Sequence, residues 1–175
     1  SNDARRELVE KTGKDAASVQ AVISDLYKAT TATPGTDASL DRYWDHGAAK
    51  YVGNTLDRSS TIYGRADKRG KNFEAVDGSD VAFTNIVVLR ALEVGRDATT
   101  TQEREAQYDI IVKQIQVIYA QCALRYARLI DEALLYDSKL EDLPKYRAEG
   151  RAFWNIISPW LRAKARSLTD SVQTK

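Results

Sequence analysis

Residues 108–133, YDIIVKQIQVIYAQCALRYARLIDEA, decide the fold class of this chain. Apolar side chains recur along them at intervals of three and four, which predicts one continuous stripe on an α-helix. The stripe consists of Tyr108, Ile111, Val112, Ile115, Ile118, Tyr119, Cys122, Tyr126, Leu129, Ile130 and Ala133. Thr100 or Thr101 begins this helix, and Glu103 is placed to complete a capping arrangement. The helix should span about 35 residues, or roughly 50 Å.

Outward from this helix, apolar periodicity predicts four more helices and no strand. The first covers roughly residues 3–29, and a short second helix runs from Leu40 to Val52 with Ser39 as its N-cap. Ser79 opens the third helix, and the last begins at Asp142 or Pro144. Pro159 must kink the last helix or end its first half.

Residues 53–78, GNTLDRSSTIYGRADKRGKNFEAVDG, have no clear periodicity and contain four glycines. A connection of this length without regular structure is uncommon in a compact domain, and it is usually functional or disordered. Apolar anchors such as Ile62, Tyr63 and Phe73 favour an ordered loop. The sequence therefore predicts an all-α bundle of about five helices, a single domain over residues 1–175, with one long ordered loop at residues 53–78.

Composition narrows the functional classes. The 26 Lys and Arg residues balance 25 Asp and Glu residues, so the net charge of +1 argues against a dedicated nucleic-acid binder. No apolar run approaches the ~20 residues that span a bilayer. The chain has one His and one Cys, which excludes the usual structural zinc sites. Phosphate-loop, dinucleotide-binding and nucleophile-elbow motifs are also missing, so we expect a protein that is not an enzyme.

The second helix carries two phenols on one face. Tyr43, Gly47 and Tyr51 recur every four residues, which predicts a shallow gap between two hydroxyl-bearing rings. His46 lies within one turn of Tyr43, and Asp45 flanks it. The alternative is that the aromatic residues are core, with phenol oxygens that reach water.

The predicted loop adds Tyr63, Asp67 and the cations Lys68 and Arg69, followed by Asn72. Phenol, carboxylate and imidazole groups suit a hard, high-valent cation such as ferric iron. A neighbouring Lys or Arg would lower the pKa of a phenol and could hold an accompanying anion. A solvated charged turn is the alternative interpretation.

Three further polar residues interrupt apolar patterns nearer the C-terminus. Arg125 and Tyr126 sit at or beside the long stripe, and Glu149 precedes Phe153 in the last helix. An arginine near a core seam needs a carboxylate, a carbonyl or an anion as partner, because unpaired burial of its charge is costly. A structural ion pair and an anion site both remain open for Arg125.

Four segments in order resemble the algal iron-assimilation proteins, also known as high-CO2-inducible periplasmic proteins, which are related to the phytotransferrins. The segments are YWDHGAAKYVGN (43–54), IYGRADKRGKNF (62–73), QCALRYARLID (121–131) and YRAEGRAFWNIISPWL (146–161). This chain departs from the green-algal members in having no cysteine beside Phe73, and it carries one copy of a unit that is often repeated in the family.

The resemblance implies an extracellular, periplasmic or cell-surface module that binds ferric iron (Fe3+) for iron acquisition, with carbonate as an accompanying anion. The metal ligands it implies are Tyr43, Asp45, Tyr51, Tyr63 and Asp67. The implied anion contacts are Lys68, Arg69 and Arg125, and the implied supporting residues are Asn72, Tyr126 and Glu149. His46 does not match a family position and is a supporting candidate only through its place beside Tyr43.

Two other functions stay open. The first is a structural or adhesive cell-surface helical domain without metal, which would bind cell-surface partners or further copies of itself. The second is a relative of the imelysin-like helical proteins, which is disfavoured because their Gly-x-His-x-x-Glu motif is missing.

Overall fold

The long apolar stripe forms one uninterrupted helix, α5 (Thr101–Leu135), in a computed structural model of the chain. Three isoleucines of the stripe, Ile111, Ile115 and Ile118, are fully buried. At its N-terminus, Glu103 Oε2 accepts hydrogen bonds from the backbone N–H groups of Thr99 (3.0 Å) and Thr100 (3.1 Å). The N–H of Glu103 in turn donates to Thr100 Oγ1 at 3.2 Å. Both the length of this helix and its reciprocal cap confirm the prediction.

The protein belongs to the all-α class, as predicted. The structure describes the backbone of residues 2–53 and 58–173, and the side chains of these except 3, 11 and 164–173. The other helices are α1 (Asn2–Ala29), α2 (Ala38–Val52), α3 (Ile62–Asn72), α4 (Phe83–Arg96) and α6 (Leu143–Gln173), with a 3-10 turn at Leu140–Asp142. Among the described residues, the only β-type pairing is an isolated bridge between Val76 and Ala82.

The chain divides into two compact units. The central unit is Ala17–Ile118, and the terminal unit combines Ser1–Ala16 with Tyr119–Lys175. Helices α1 and α5 each contribute residues to both units. The single domain expected over residues 1–175 stays a prediction.

Helix α2 begins at Ala38, two residues earlier than predicted, because Asp37 and not Ser39 is its N-cap. The Asp37 carboxylate accepts from the N–H of Ser39 at 2.8 Å, and a carboxylate near a helix N-terminus also interacts favourably with the helix dipole. The predicted end is confirmed, since Gly53 follows Val52 with φ at 71°. This positive φ favours glycine, which stops the helix there.

The predicted loop at residues 53–78 is wrong over its middle part, because α3 (Ile62–Asn72) lies within it. Thr61 caps this helix by accepting from the N–H of Gly64 at 3.0 Å. Two of the four glycines in this segment are close-packing positions within the helix. A Cβ on Gly64 would lie 1.9 Å from the carbonyl oxygen of Arg58, and one on Gly70 would lie 2.9 Å from the Cβ of Ala82. Residues 54–57 of the predicted loop lie outside the described residues.

Helix α4 begins at Phe83, four residues later than predicted from Ser79. The reason is Asp77, whose Oδ1 accepts from the N–H groups of Ser79 and Val81, both at 2.9 Å. This side chain satisfies donors that a helix would otherwise leave unpaired, so the chain forms a local turn before α4.

In the terminal unit, α6 continues past Pro159 to Gln173, so the proline does not end the helix. Phe153 is buried and lies 6.1 Å from the ring of Tyr119, also buried. Cys122 is buried, as its place in the stripe predicted. None of the described helices combines the length and apolar character needed to cross a bilayer.

Candidate functional site

The centre of the candidate site is Asn85, a fully buried residue of α4 in the central unit. Its Oδ1 accepts a hydrogen bond of 2.6 Å from the Tyr51 hydroxyl of α2. Its Nδ2 donates to the Tyr63 carbonyl (3.0 Å) and to Asp67 Oδ1 (2.7 Å) on α3. One amide side chain therefore joins three helices, and both of its amide hydrogens have acceptors. We call Tyr51, Tyr63, Asp67 and Asn85 the Asn85 cluster.

Tyr51 occupies the most enclosed position in the Asn85 cluster. Its ring is fully buried and meets the ring of Tyr63 edge-on, with centroids 6.3 Å apart and an interplanar angle of 82°. Burial raises the pKa of the Tyr51 phenol far above its usual range, and the nearby charge of Asp67 adds to the rise. Tyr51 is therefore a neutral hydrogen-bond donor in the structure as it stands.

Tyr63 and Asp67 lie one turn apart on α3, so both side chains share one face of that helix. Asp67 Oδ1 accepts from the backbone N–H of Ala82 at 2.8 Å as well as from Asn85. Asp67 Oδ2 and the phenol oxygen of Tyr63 form no hydrogen bond with any described residue. These two oxygens are the unused acceptors of the Asn85 cluster.

Two arginines of this region are relevant to an anion, Arg58 before α3 and Arg69 within it. The guanidinium of Arg58 lies over the ring of Tyr63, 4.7 Å from its centroid, in a cation–π arrangement. Arg69 is 6% exposed, and its Nε has no hydrogen-bond partner among the described residues. A buried guanidinium with an unused donor is costly, which makes Arg69 a candidate for contact with a bound anion; the Nε of Arg58 likewise has no partner among the described residues.

The other polar residues of α3 face solvent. Lys68 and Asn72, predicted as an anion contact and a supporting residue, are both exposed. Lys71 forms a surface ion pair with Asp80 at 2.7 Å. The predicted charged turn is wrong as a turn, because these residues belong to a helix, but their side chains are solvated as that interpretation expected.

The structure separates Tyr43 from Tyr51, although both belong to α2. Tyr43 is half-buried, with Lys28 Nζ 4.7 Å above its ring and the exposed His46 edge-on at 6.0 Å. The predicted gap at Gly47 does not exist, because Leu26 fills it: a Cβ on Gly47 would lie 2.6 Å from Leu26 Cγ. The expectation that both phenols share one open face is wrong for this reason.

Asp45 likewise lies apart from the Asn85 cluster. It is exposed and lines a cavity with Asp41, Arg96 and Arg104. Of the five metal ligands expected from the sequence, the structure therefore brings together Tyr51, Tyr63 and Asp67.

Arg125, Tyr126 and Glu149 belong to the terminal unit. The Tyr126 ring stacks on Phe153, with centroids 5.7 Å apart and an interplanar angle of 21°. Tyr126 also packs closely on α6, since a Cβ on Gly150 would lie 3.2 Å from Tyr126 Cβ. Glu149 is buried, whereas Arg125 is half-buried.

Tyr146 connects Arg125 to this part of the terminal unit. Burial raises the pKa of Tyr146 most, its hydrogen bond to Asp142 adds to the rise, and the positive charge of Arg125 opposes it. Arg125 therefore lies within electrostatic reach of a phenol.

Sequence reasoning missed Asn85 and Arg104, the two polar residues that organise the central unit. Asn85 precedes Val88 and Leu92 at helical spacing, and Arg104 precedes Tyr108 and Ile111 in the same way. A polar residue in phase with an apolar stripe is the signal that could have identified each of them as a buried hub.

Groups of three or more His, Cys, Asp or Glu residues able to hold a metal ion do not occur in the described part of the chain. Phenol oxygens, which also bind ferric iron, are not among those groups. No protein-family model matches the chain, and neither the curated proteins nor the solved structures include a match to it.

Proposed function

We propose that the central unit is a non-catalytic module that binds a ferric ion at the Asn85 cluster, through Tyr63 and Asp67 on α3. The observation that carries this proposal is that Tyr51 on α2 and Tyr63 and Asp67 on α3 all contact Asn85 on α4, Tyr63 through its backbone carbonyl. Phenolate and carboxylate oxygens are the hard donors that a ferric ion takes. In this proposal iron is cargo, held for acquisition and not for catalysis.

The residues differ in how well they fit such an ion. Asp67 Oδ2 and the Tyr63 phenol keep lone pairs that no described residue uses, so no hydrogen bond within the described residues has to break before they bind an ion. Tyr51 fits only after its hydrogen bond to Asn85 is released and its phenol loses a proton against a raised pKa. A bound cation supplies the charge that favours this deprotonation.

Arg69 supplies the second part of the proposal. Its buried guanidinium carries an unused Nε donor on the same helix as Tyr63 and Asp67. A guanidinium holds a planar oxyanion such as carbonate through paired N–H donors. Such an anion would offset the positive charge of both the arginine and the ion.

The test is titration with ferric nitrilotriacetate, with and without bicarbonate, followed by visible absorption. A tyrosinate-to-iron band should appear, and it should be lost in Tyr63→Phe and weakened at least about 10-fold in Asp67→Asn. Tyr43→Phe is the matched control, since it removes a phenol that lies beside Lys28 and His46 instead. Absence of the band in the unmodified protein, or its persistence in Tyr63→Phe, would rule out the proposal.

A second function is favoured by the saturation of Asn85. Because both amide hydrogens of Asn85 and the Tyr51 hydroxyl are already paired, the same cluster can act purely as a structural junction of α2, α3 and α4. The protein would then be a structural or adhesive helical domain. In that case Tyr63→Phe and Asp67→Asn change the free energy of unfolding, and ferric nitrilotriacetate gives no band.

A further inference from the structure

A second polar site of the central unit surrounds a cavity of about 360 Å³. It lies where the loop after α1, the first half of α2 and the α4–α5 junction meet. Its walls include Pro34, Asp41, Trp44, Asp45, Arg96 and Arg104. We call it the Arg104 cleft. None of these residues belongs to the Asn85 cluster.

Arg104 is the buried wall of this cleft, with 4% of its side chain exposed. Its Nε donates to the Gly95 carbonyl at 3.1 Å, and its Nη1 donates to the Ala29 carbonyl (3.2 Å) and to Asp41 Oδ1 (2.6 Å). Its Nη2 forms no hydrogen bond with a described residue. The guanidinium is thus held rigidly by two of its nitrogens, while the third keeps donors for a ligand.

Two carboxylates of α2, Asp41 and Asp45, also line the Arg104 cleft. Asp41 is fully engaged, since its Oδ2 accepts from the Gly35 N–H at 2.9 Å while Oδ1 binds Arg104. Asp45, one turn further along α2, is exposed and forms no hydrogen bond or ion pair with a described residue.

Arg96 holds the other side of the cleft from α4. Its Nε donates to Asp97 at 3.0 Å, and its two terminal nitrogens donate to no described residue. Its pKa is raised chiefly by the hydrogen bond to Asp97, with a smaller contribution from the charge of Asp45. Arg96 and Asp45 therefore lie within electrostatic reach of each other.

We propose that the Arg104 cleft binds a small zwitterion of the α-amino acid class, whose carboxylate contacts Arg104 Nη2 and Arg96 and whose ammonium contacts Asp45. The wall carries two guanidiniums and two carboxylates, so it favours a ligand that has both charges and no net charge. Its volume is at the lower end of the range for small-molecule sites. Pro34 and Ala98, both half-buried, supply an apolar surface for a short side chain.

The experiment is isothermal titration of the full chain with glycine, L-alanine, L-serine and L-proline. Propionate and ethylamine serve as probes that keep one charge of alanine each. At least one amino acid should bind, and at least about 10-fold more tightly than either single-charge probe. No binding of any of the four amino acids at about 10 mM, or equal binding of propionate, overturns the proposal.

Variants locate the site. Asp45→Asn and Arg96→Gln change exposed side chains and should each weaken amino-acid binding about 10-fold without loss of helical circular dichroism. Arg128→Gln is the matched control, because it removes an exposed arginine whose partner is Glu132 in the terminal unit. Equal weakening by Arg128→Gln would show a general charge effect and sink the proposal. Ferric titration of the same variants reports separately on the Asn85 cluster.

Discussion

The Asn85 cluster and the Arg104 cleft are each organised by one buried polar side chain, yet these two side chains are satisfied to different degrees. The side-chain amide of Asn85 forms hydrogen bonds with Tyr51, Tyr63 and Asp67 and has no amide hydrogen left. Arg104 donates hydrogen bonds to the protein from Nε and Nη1, whereas its Nη2 donates to no described residue. The difference teaches that a saturated hub leaves ligand binding to the residues around it, here Tyr63 and Asp67, whereas an unsaturated hub beside a cavity retains donors of its own for a ligand.

The largest effect on this contrast should come from Arg104→Met, which removes the charged hub. Asp41 and the carbonyls of Gly95 and Ala29 would all lose their donor. Asp41 is 31% exposed and can regain water, so we expect a loss of about 3 kcal/mol, at the low end for a broken buried pair. Urea unfolding measures it, with the exposed Arg90→Met as control. Equal losses in the two variants would mean that burial of Arg104 has no energetic consequence.

Asn85→Leu should have the next largest effect, because it leaves the Tyr51 hydroxyl buried without an acceptor. We expect a loss of about 2 kcal/mol. Tyr51→Phe combined with Asn85→Leu removes donor and acceptor together and should recover part of this loss, which a double-mutant cycle measures by urea unfolding. If the two single changes were strictly additive, the hydrogen bond between Tyr51 and Asn85 would contribute no coupling free energy.

A smaller effect should appear in acid at the Arg104 cleft. The hydrogen bond from Arg104 is the main cause that lowers the pKa of Asp41 below its ordinary value of 3.8. The ionised carboxylate therefore stabilises the fold above that value, and this stabilisation is lost as pH falls through the lowered pKa. Urea unfolding from about pH 5 to about pH 3 should show a steeper loss for the unmodified protein than for Asp41→Asn. Parallel curves would contradict this assignment.

The smallest effect should come from the surface pair of Lys71 and Asp80, whose side chains are 50% and 69% exposed. Solvent screens this pair, so Lys71→Gln should change the free energy of unfolding by about 0.5 kcal/mol or less. This variant gives the baseline for both hubs in the same urea assay. A loss comparable to that of Asn85→Leu would show that exposure is a poor guide to energy in this protein.

The sequence predicted most of the fold because helix signals are local. The periodic stripe of α5 and its Glu103 cap were legible from spacing alone, and the stop at Gly53 followed from glycine chemistry. Helix α3 was missed for an equally physical reason. Gly64 and Gly70 look like turn residues in sequence, but their role is to let Arg58 and Ala82 approach the helix closely.

The candidate site was predicted only in part. Tyr63 and Asp67 were identified through residue type, and their one-turn spacing holds them together once α3 is a helix. Tyr43 and Tyr51 have the same residue type and share α2, yet Leu26 fills the space at Gly47 between them and Asn85 engages only Tyr51. No pattern within α2 contains that information, because both Leu26 and Asn85 come from other helices.

By itself, the sequence determined which segments become helices and which chemical groups they carry, since periodicity, caps and residue types act over a few positions. Tertiary structure alone decided which of those groups meet. Asn85 bonds to Tyr51 across 34 residues and Arg104 to Asp41 across 63, and such pairings depend on how whole helices pack. Burial then decides the role of each polar contact, because a buried polar group is either paired within the protein or available to a ligand.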